Sequence, residues 1–293
     1  MIKKIVVVIS ILFFMTSCSS ESYKKLKISA TTWIGYTPLF YAKEKGWLKE
    51  LNIKLLNVTS LSENMYLYEA GNSDAYVGTQ YEYSVLIQKH KSLMPIMLFD
   101  RSYGGDIVMS NMSLSDLQNS NKTINVYLEM DSINNTIFKD FISNYSLEEK
   151  AINYINQDQT QISLLEGKNI KNPTVIVTYI PYNTMLENDG FKEIASTKDG
   201  LQLLVVDAMF TSSKVFHEHE EQFRELKKLT DKAIDVLQRN PKEFYKVIQP
   251  YMLDMDYKTF NESLNKIIWI NKTFPSELKE RLQEANFPTR DLI

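Results

Sequence analysis

The 293-residue chain has one cysteine, Cys18, so no disulfide can form within it. Glycine occurs 9 times and proline 8 times, which excludes collagen-like and low-complexity architectures. Charge of one sign is also missing. Lys+Arg total 33 against Asp+Glu 36, a net charge of −3, which leaves no electrostatic footprint for nucleic acid. No 20- to 50-residue repeat and no Gly-x-x-x-x-Gly-Lys-Ser/Thr phosphate loop is present. Histidine is scarce at 3 residues: His90 is isolated, and His217 and His219 are two apart. On a helix, positions two apart face different ways, so His217-Glu218-His219-Glu220-Glu221 reads as a solvated charged face and no metal site is expected.

The remaining composition is that of a folded protein. Hydrophobic residues make up 44% and charged residues 24%, enough for a sizeable core in one large domain or two ordinary ones.

The N-terminus has the parts of an export signal. Lys3 and Lys4 precede an apolar run from Ile5 to Met15, broken only by Ser10. The run is too short to span a membrane, which takes about 20 residues. It ends at Thr16-Ser17-Cys18, and a small residue directly before a cysteine resembles the bacterial lipobox, with Met15 at the usual Leu position. That resemblance implies a signal peptide over 1–17, cleavage before Cys18, and lipid attachment at Cys18. Residues 18–26 read as a polar tether. Loss of Lys3 and Lys4 leaves 31 basic residues against 36 acidic, a mature charge near −5.

Beyond the tether, strands alternate with helices. Strands are expected at 27–33, 53–58, 75–79, 95–99, 107–109, 124–128, 152–155, 175–180 and 201–206. Helices are expected at 38–51, 62–70, 81–90, 132–144, 160–166 and 182–188, with a helical turn at 115–117. Pro38 sits at a helix start, where its missing N–H costs nothing, and Gly71 and Gly190 are C-terminal caps. Such alternation predicts parallel sheets covered by helices. From Ser212 the pattern is helical only, with helices at 212–238, 241–248, 257–269 and 275–284. The fold class expected is α/β, in two lobes, with a helical C-terminus packed on the first.

Several segments carry a family resemblance in chain order. Trp33-Ile34-Gly35-Tyr36-Thr37-Pro38 joins a strand end to a helix start, and Ala42 and Gly46 follow. Glu69-Ala70-Gly71-Asn72-Ser73-Asp74-Ala75 precedes the third strand. Asp100-Arg101-Ser102-Tyr103-Gly104-Gly105-Asp106, Ser115-Asp116-Leu117, Tyr127-Leu128-Glu129-Met130-Asp131-Ser132 and Thr178-Tyr179-Ile180-Pro181-Tyr182 complete the series. Over residues 27 to 250 the chain resembles the solute-binding proteins of ABC importers, of the alkanesulfonate, taurine and thiamine-precursor (NMT1-like) type. It departs at Ile180, where an acid is common, and at Asn172-Pro173-Thr174, where Val-Asp-Ala is frequent.

The resemblance implies a type II periplasmic-binding-protein fold with a ligand cleft between the lobes. Lobe 1 is expected over 27–104, lobe 2 over 105–206, and a return to lobe 1 with the C-terminal helices over 207–293. The cleft residues it implies are Trp33, Tyr36, Thr79, Ser102, Tyr103, Asp106, Asp131, Ser132, Tyr179 and Tyr182, with hinges at Gly104, Gly105 and Asp207. Residue by residue, other roles stay open: Trp33 and Tyr36 as core aromatics, Gly104-Gly105 as a tight turn, Asp106 as a cap. Ser132 is either a plain N-cap or the start of an anion-binding helix end.

The expected function is a lipid-anchored importer subunit that captures a small molecule and catalyses nothing. Its partners are the ligand and a membrane permease, with no cofactor. A monomer in the bacterial cell envelope is expected, in the periplasm or on the outer face of the cytoplasmic membrane. Aromatic residues with Asp100, Asp106, Glu129 and Asp131, against Arg101 alone, favour a heteroaromatic or amine-bearing, thiamine-precursor-like ligand. The alternatives are a sulfonate held at Ser132, or a ligand-sensing subunit for a membrane receptor. The related thiamine-pyrimidine synthases depend on a His and a Cys-rich motif that this chain lacks.

Overall fold

The computed structural model describes residues 23–273 and 275–293. The expected leader, Cys18 and the first part of the tether lie outside the described residues.

The strands are β1 (Leu26–Thr31), β2 (Ile53–Val58), β3 (Ala75–Thr79), β4 (Leu93–Ser102), β5 (Asp106–Ser110), β6 (Ile124–Leu128), β7 (Ile152–Asn156), β8 (Thr174–Tyr179), β9 (Lys192–Ser196), β10 (Val206–Ser212) and β11 (Ile267–Trp269). They form two sheets, ordered β11-β4-β10-β3-β1-β2 and β7-β6-β8-β5-β9. Burial follows position. Every residue of β8, inside its sheet, is buried, whereas β7 at the edge has no buried residue.

Neither sheet is wholly parallel. β1 pairs in parallel with β2 and β3, and β6 with β7 and β8. β10 is antiparallel to β3 and β4, and β5 is antiparallel to β8. The cause is topological. β5 and β10 each arrive from the opposite sheet and so enter their own sheet from the cleft side. They run against strands whose carboxyl ends face the cleft.

The helices that build the site are α1 (Thr37–Glu44), α2 (Leu61–Glu69), α3 (Gln80–Leu86) and α4 (Ile133–Asn144). In α4 the apolar spacing Ile133, Ile137, Phe138 and Phe141 buries one face, about 1.5–3 kcal/mol for each large side chain. The C-terminal helices α5 (Glu220–Arg239) and α6 (Pro241–Ile248) pack on α1 in the first lobe. There Tyr41 stacks on Phe244 at 4.5 Å, and Gln222 donates to the backbone oxygens of Lys24 and Leu51. Helix α7 (Ser276–Glu284) buries Leu278 and Leu282. They join the cluster in which Phe287 packs edge-on against Tyr83 and Phe210. No helix among the described residues is long and apolar enough to cross a membrane.

Several sequence expectations are corrected. The helix expected over 38–51 stops at Glu44 and resumes at Trp47, because Gly46 is left-handed at φ +77°. The strand expected over 201–206 begins at Val206 and runs to Ser212, while 201–205 is an irregular crossing segment. The helix expected over 212–238 breaks at His219, which is buried with its Nδ1 2.6 Å from Gln222 Oε1. His219 is therefore not on a solvated face. The helix expected over 257–269 ends at Ser263, and β11 completes the edge of the first sheet beside β4. Strand β9, with exposed Lys192 and Glu193, shows too little apolar alternation to be read from sequence.

Candidate functional site

The first sheet presents two carboxylates side by side. Asp100 on β4 and Asp207 on β10 lie on neighbouring strands, and both are buried. Each holds an aromatic ring of the β1–α1 turn. Trp33 Nε1 donates to Asp100 Oδ1 at 3.2 Å, and the Tyr36 hydroxyl donates to Asp207 Oδ1. Gly35 stands between these rings because a Cβ there would collide with the Asp100 carboxylate and Trp33 Nε1. The Trp33-Ile34-Gly35-Tyr36 turn is thus fitted to the two acids beneath it.

The second lobe closes the site from the other side. Asp106 begins β5 and Tyr179 ends β8, paired across the ladder. The Trp33 ring meets Tyr179 edge-on at 5.9 Å, and Tyr179 meets Tyr182 edge-on at 5.3 Å. A narrow cavity lies between the lobes, with free space for about one water molecule. Its walls include Trp33, Tyr36, Thr79, Asp106, Tyr179 and Asp207, together with Thr31, Leu61, Ile133 and Val205. No Lys, Arg or His is among them.

Two helix N-termini point at this cavity, and each is met by a glutamate of the other lobe. Leu61 N, at the start of α2, donates to Glu129 Oε2 at 3.0 Å. Ile133 N, at the start of α4, donates to Glu82 Oε1 at 3.0 Å. Glu82 also accepts from the Thr79 backbone and hydroxyl at 2.8 and 2.5 Å, closing a capping box on α3. Both glutamates are buried.

The electrostatics of this region are one-sided. None of the ion pairs among the described residues includes Glu82, Asp100, Asp106, Glu129 or Asp207. Burial without a counter-charge favours the protonated form. It raises Asp106 to about 7, with the Glu82 charge adding to it, and Glu129 to about 8. Burial holds Asp100 and Asp207 well above the ordinary carboxylate range, and their neighbouring carboxylates reinforce this. Asp100 Oδ2, Asp106 Oδ2 and the Tyr179 hydroxyl have no hydrogen-bond partner among the described residues.

The two segments that cross between the sheets are hydrogen-bonded to each other. Ser102 Oγ lies 2.7 Å from Thr197 Oγ1, which also accepts from Gly104 N at 2.8 Å. Asp106 N donates to Ser102 Oγ, and Thr197 N donates to Asp106 O. Gly104 is left-handed at φ +103°, and a Cβ on Gly105 would strike the Trp33 ring. Gly105 is therefore tied to the position of a cavity wall.

The structure brings together most of the residues singled out by sequence. Tyr182 is buried behind Tyr179, and Ser132 caps α4 beside Ile133, accepting from Asn134 N. Ser102 ends β4 and bonds Thr197 in the crossing segments, and it is not among the cavity walls. Asp207, expected only as a hinge, lines the cavity. Tyr103 and Asp131 do not reach it. Tyr103 is exposed beneath Lys198, and Asp131 is exposed and accepts from the Tyr66 hydroxyl at 2.7 Å. Glu82 was not among the expected residues. Its Thr79-x-x-Glu82 spacing marks a capping box in sequence, but nothing there shows that its second oxygen reaches the other lobe.

Comparison with solved structures gives the same fold at low identity. The ligand-binding component of an ABC-type import system from Staphylococcus aureus, crystallised with zinc bound, aligns at TM-score 0.70 and 12% identity, covering 90% of this chain and 92% of that one. The alkanesulfonate-binding protein SsuA from Xanthomonas axonopodis pv. citri, bound to MOPS, aligns at 0.67 and 11%, covering 89% and 90%. The aliphatic sulphonate-binding SsuA of Escherichia coli aligns at 0.67 and 12%, covering 90% and 86%. No curated protein sequence matches the chain. A family model described as NMT1/THI5 like matches residues 33–244, from the Trp33 turn to α6. The chain belongs to the NMT1/THI5-like family and has the two-lobed fold of ABC-importer solute-binding proteins.

Proposed function

We propose that this protein is the solute-binding subunit of an ABC importer and that its ligand is a small, flat molecule bearing an amine or other cationic group. One observation carries the ligand class. Asp106 and Asp207 line a cavity walled by aromatic rings, Asp100 stands behind it, and no basic side chain lines it. In a form opened far enough to admit it, a cation seated among these residues would balance carboxylates that otherwise hold protons. Ring faces of Trp33, Tyr36 and Tyr179 add stacking and cation–π attraction, roughly 0.5–2 kcal/mol each. A thiamine-precursor-like aminopyrimidine has both features.

Binding proceeds by lobe closure about the segments at Gly104-Gly105 and near Asp207. The closed form is what a permease recognises, and no chemistry follows. Export and lipid attachment at Cys18 belong to the same reading. They place the protein in the cell envelope, within reach of the permease. Replacing Cys18 with Ala then releases the protein from the membrane fraction.

The test is a thermal-shift panel of pyrimidines, thiamine, polyamines, amino acids, taurine, alkanesulfonates and nitrate, run on wild type and Asp106→Ala. A ligand at 100 times its Kd stabilises by about 2.7 kcal/mol, a shift of a few degrees. Shifts with amines or aminopyrimidines that Asp106→Ala abolishes support the reading. Shifts with sulfonates alone, kept or enlarged in Asp106→Ala, overturn it.

A further inference from the structure

The N-terminus of α4 faces the cavity with the features that make a helix end attract anions: backbone N–H groups with no acceptor in a preceding helical turn and the positive end of the helix dipole. In this chain that place is filled. Glu82 comes from α3 in the opposite lobe and puts Oε1 3.0 Å from Ile133 N, while its Oε2 is tied to Thr79. Its carboxylate is fully buried and fixed by three donors, two from its own lobe and one from the other. The opposite helix end is filled in the same way, by Glu129 on Leu61 N. Because Glu82 and Ile133 belong to different lobes, the carboxylate arrives at the α4 terminus only when the lobes close.

We infer that Glu82 is a specificity-determining residue: it is the protein's own anion, delivered to the α4 N-terminus on closure, and it excludes oxyanion ligands from that seat. This deepens the cation reading above and rests on the same cleft. The physical argument is charge and space. A sulfonate or carboxylate ligand would compete with a tethered carboxylate for Ile133 N and be repelled by it. Asp106 and Asp207, which burial keeps protonated in the unliganded cavity, offer such a ligand no counter-charge. A cationic ligand meets neither obstacle, and closure over it needs no anionic group of its own.

The test is chemical replacement of the missing anion. Wild type and Glu82→Ala are melted in 100 mM sodium acetate and in 100 mM sodium methanesulfonate, each against matched sodium chloride. Hydrogen exchange is followed at the amides of Ile133 and Leu61. In chloride, Glu82→Ala exchanges Ile133 at least tenfold faster than wild type, with Leu61 unchanged. Acetate raises the melting point of Glu82→Ala by a few degrees and restores Ile133 protection, and it leaves wild type unmoved. Equal acetate responses in both proteins, or full Ile133 protection in Glu82→Ala, overturn the assignment. Should Glu82→Ala not fold, Glu82→Asp serves. It keeps the charge but is one methylene too short to reach Ile133, so Ile133 exchange rises while Leu61 stays protected; unchanged Ile133 exchange overturns the assignment. Failure of wild type to bind an aminopyrimidine overturns the cation reading alone, since the acetate experiment needs no ligand.

Discussion

The Tyr36 hydroxyl donates to the Asp207 carboxylate, joining the turn after the first strand to the strand that returns from the second lobe. Both groups are buried and both line the cavity. Burial and the Asp207 charge together hold the Tyr36 hydroxyl well above its usual range, so it remains a donor. Tyr36→Phe removes that donor and leaves a buried carboxyl less satisfied. The expected loss is about 1–2 kcal/mol in urea unfolding, with the fold retained. An unchanged unfolding midpoint would mean that Asp207 is satisfied elsewhere.

Unliganded stability depends on pH through the buried acids. Asp106 is raised from 3.8 to about 7 and Glu129 from 4.5 to about 8, so the folded protein binds protons more tightly than the unfolded chain. Their contribution is fully present below 3.8 and 4.5 and is lost as pH rises through about 7 and 8. Each group contributes a slope of up to about 1.4 kcal/mol per pH unit inside its window. The unfolding midpoint should therefore fall between pH 5 and pH 8, and Asp106→Asn should flatten the fall. A midpoint that rises across that interval contradicts this account.

Gly105 ties a crossing segment between the lobes to the pocket. A Cβ at Gly105 would strike the Trp33 ring and come within 3.1 Å of the Lys266 carbonyl. Gly105→Ala should move Trp33, destabilise by about 1–3 kcal/mol and weaken ligand binding at least tenfold. Trp33 fluorescence and titration calorimetry read the two effects. Unchanged affinity would place Trp33 outside the ligand contacts.

Tyr103 and Asp131 provide the contrast. Both are exposed and lie outside the cavity walls. Tyr103→Ala and Asp131→Ala should leave ligand affinity within about twofold, and a tenfold loss in either would enlarge the site beyond the residues assigned to it.

Much of this architecture is legible in sequence because it rests on local pattern. The Trp33-to-Pro38 turn, the Glu69-to-Ala75 turn and the apolar runs of β6 and β8 are short-range signals, and each lies where it was expected. What escaped depends on distant partners. β11 is only three residues long and is a strand because β4 offers an edge beside it. His219 breaks a continuous helical pattern by packing inward against Gln222. Glu82 reads as an ordinary capping residue until Ile133, 51 positions away, is brought to its second oxygen. Asp131 has the opposite history. Its position in a cleft-side turn suggested a ligand contact, but its side chain turns out to Tyr66.

Titration calorimetry of thiamine, a cation at every pH used, into wild type and Asp106→Asn at pH 6 and pH 8, in two buffers of different ionisation enthalpy, separates a cation site from an anion site. Binding should tighten from pH 6 to pH 8, with proton release into the buffer as the cation displaces protons from the buried carboxyls, and should weaken at least tenfold in Asp106→Asn. Binding of methanesulfonate instead, with no proton release and no loss in Asp106→Asn, would contradict the cation site.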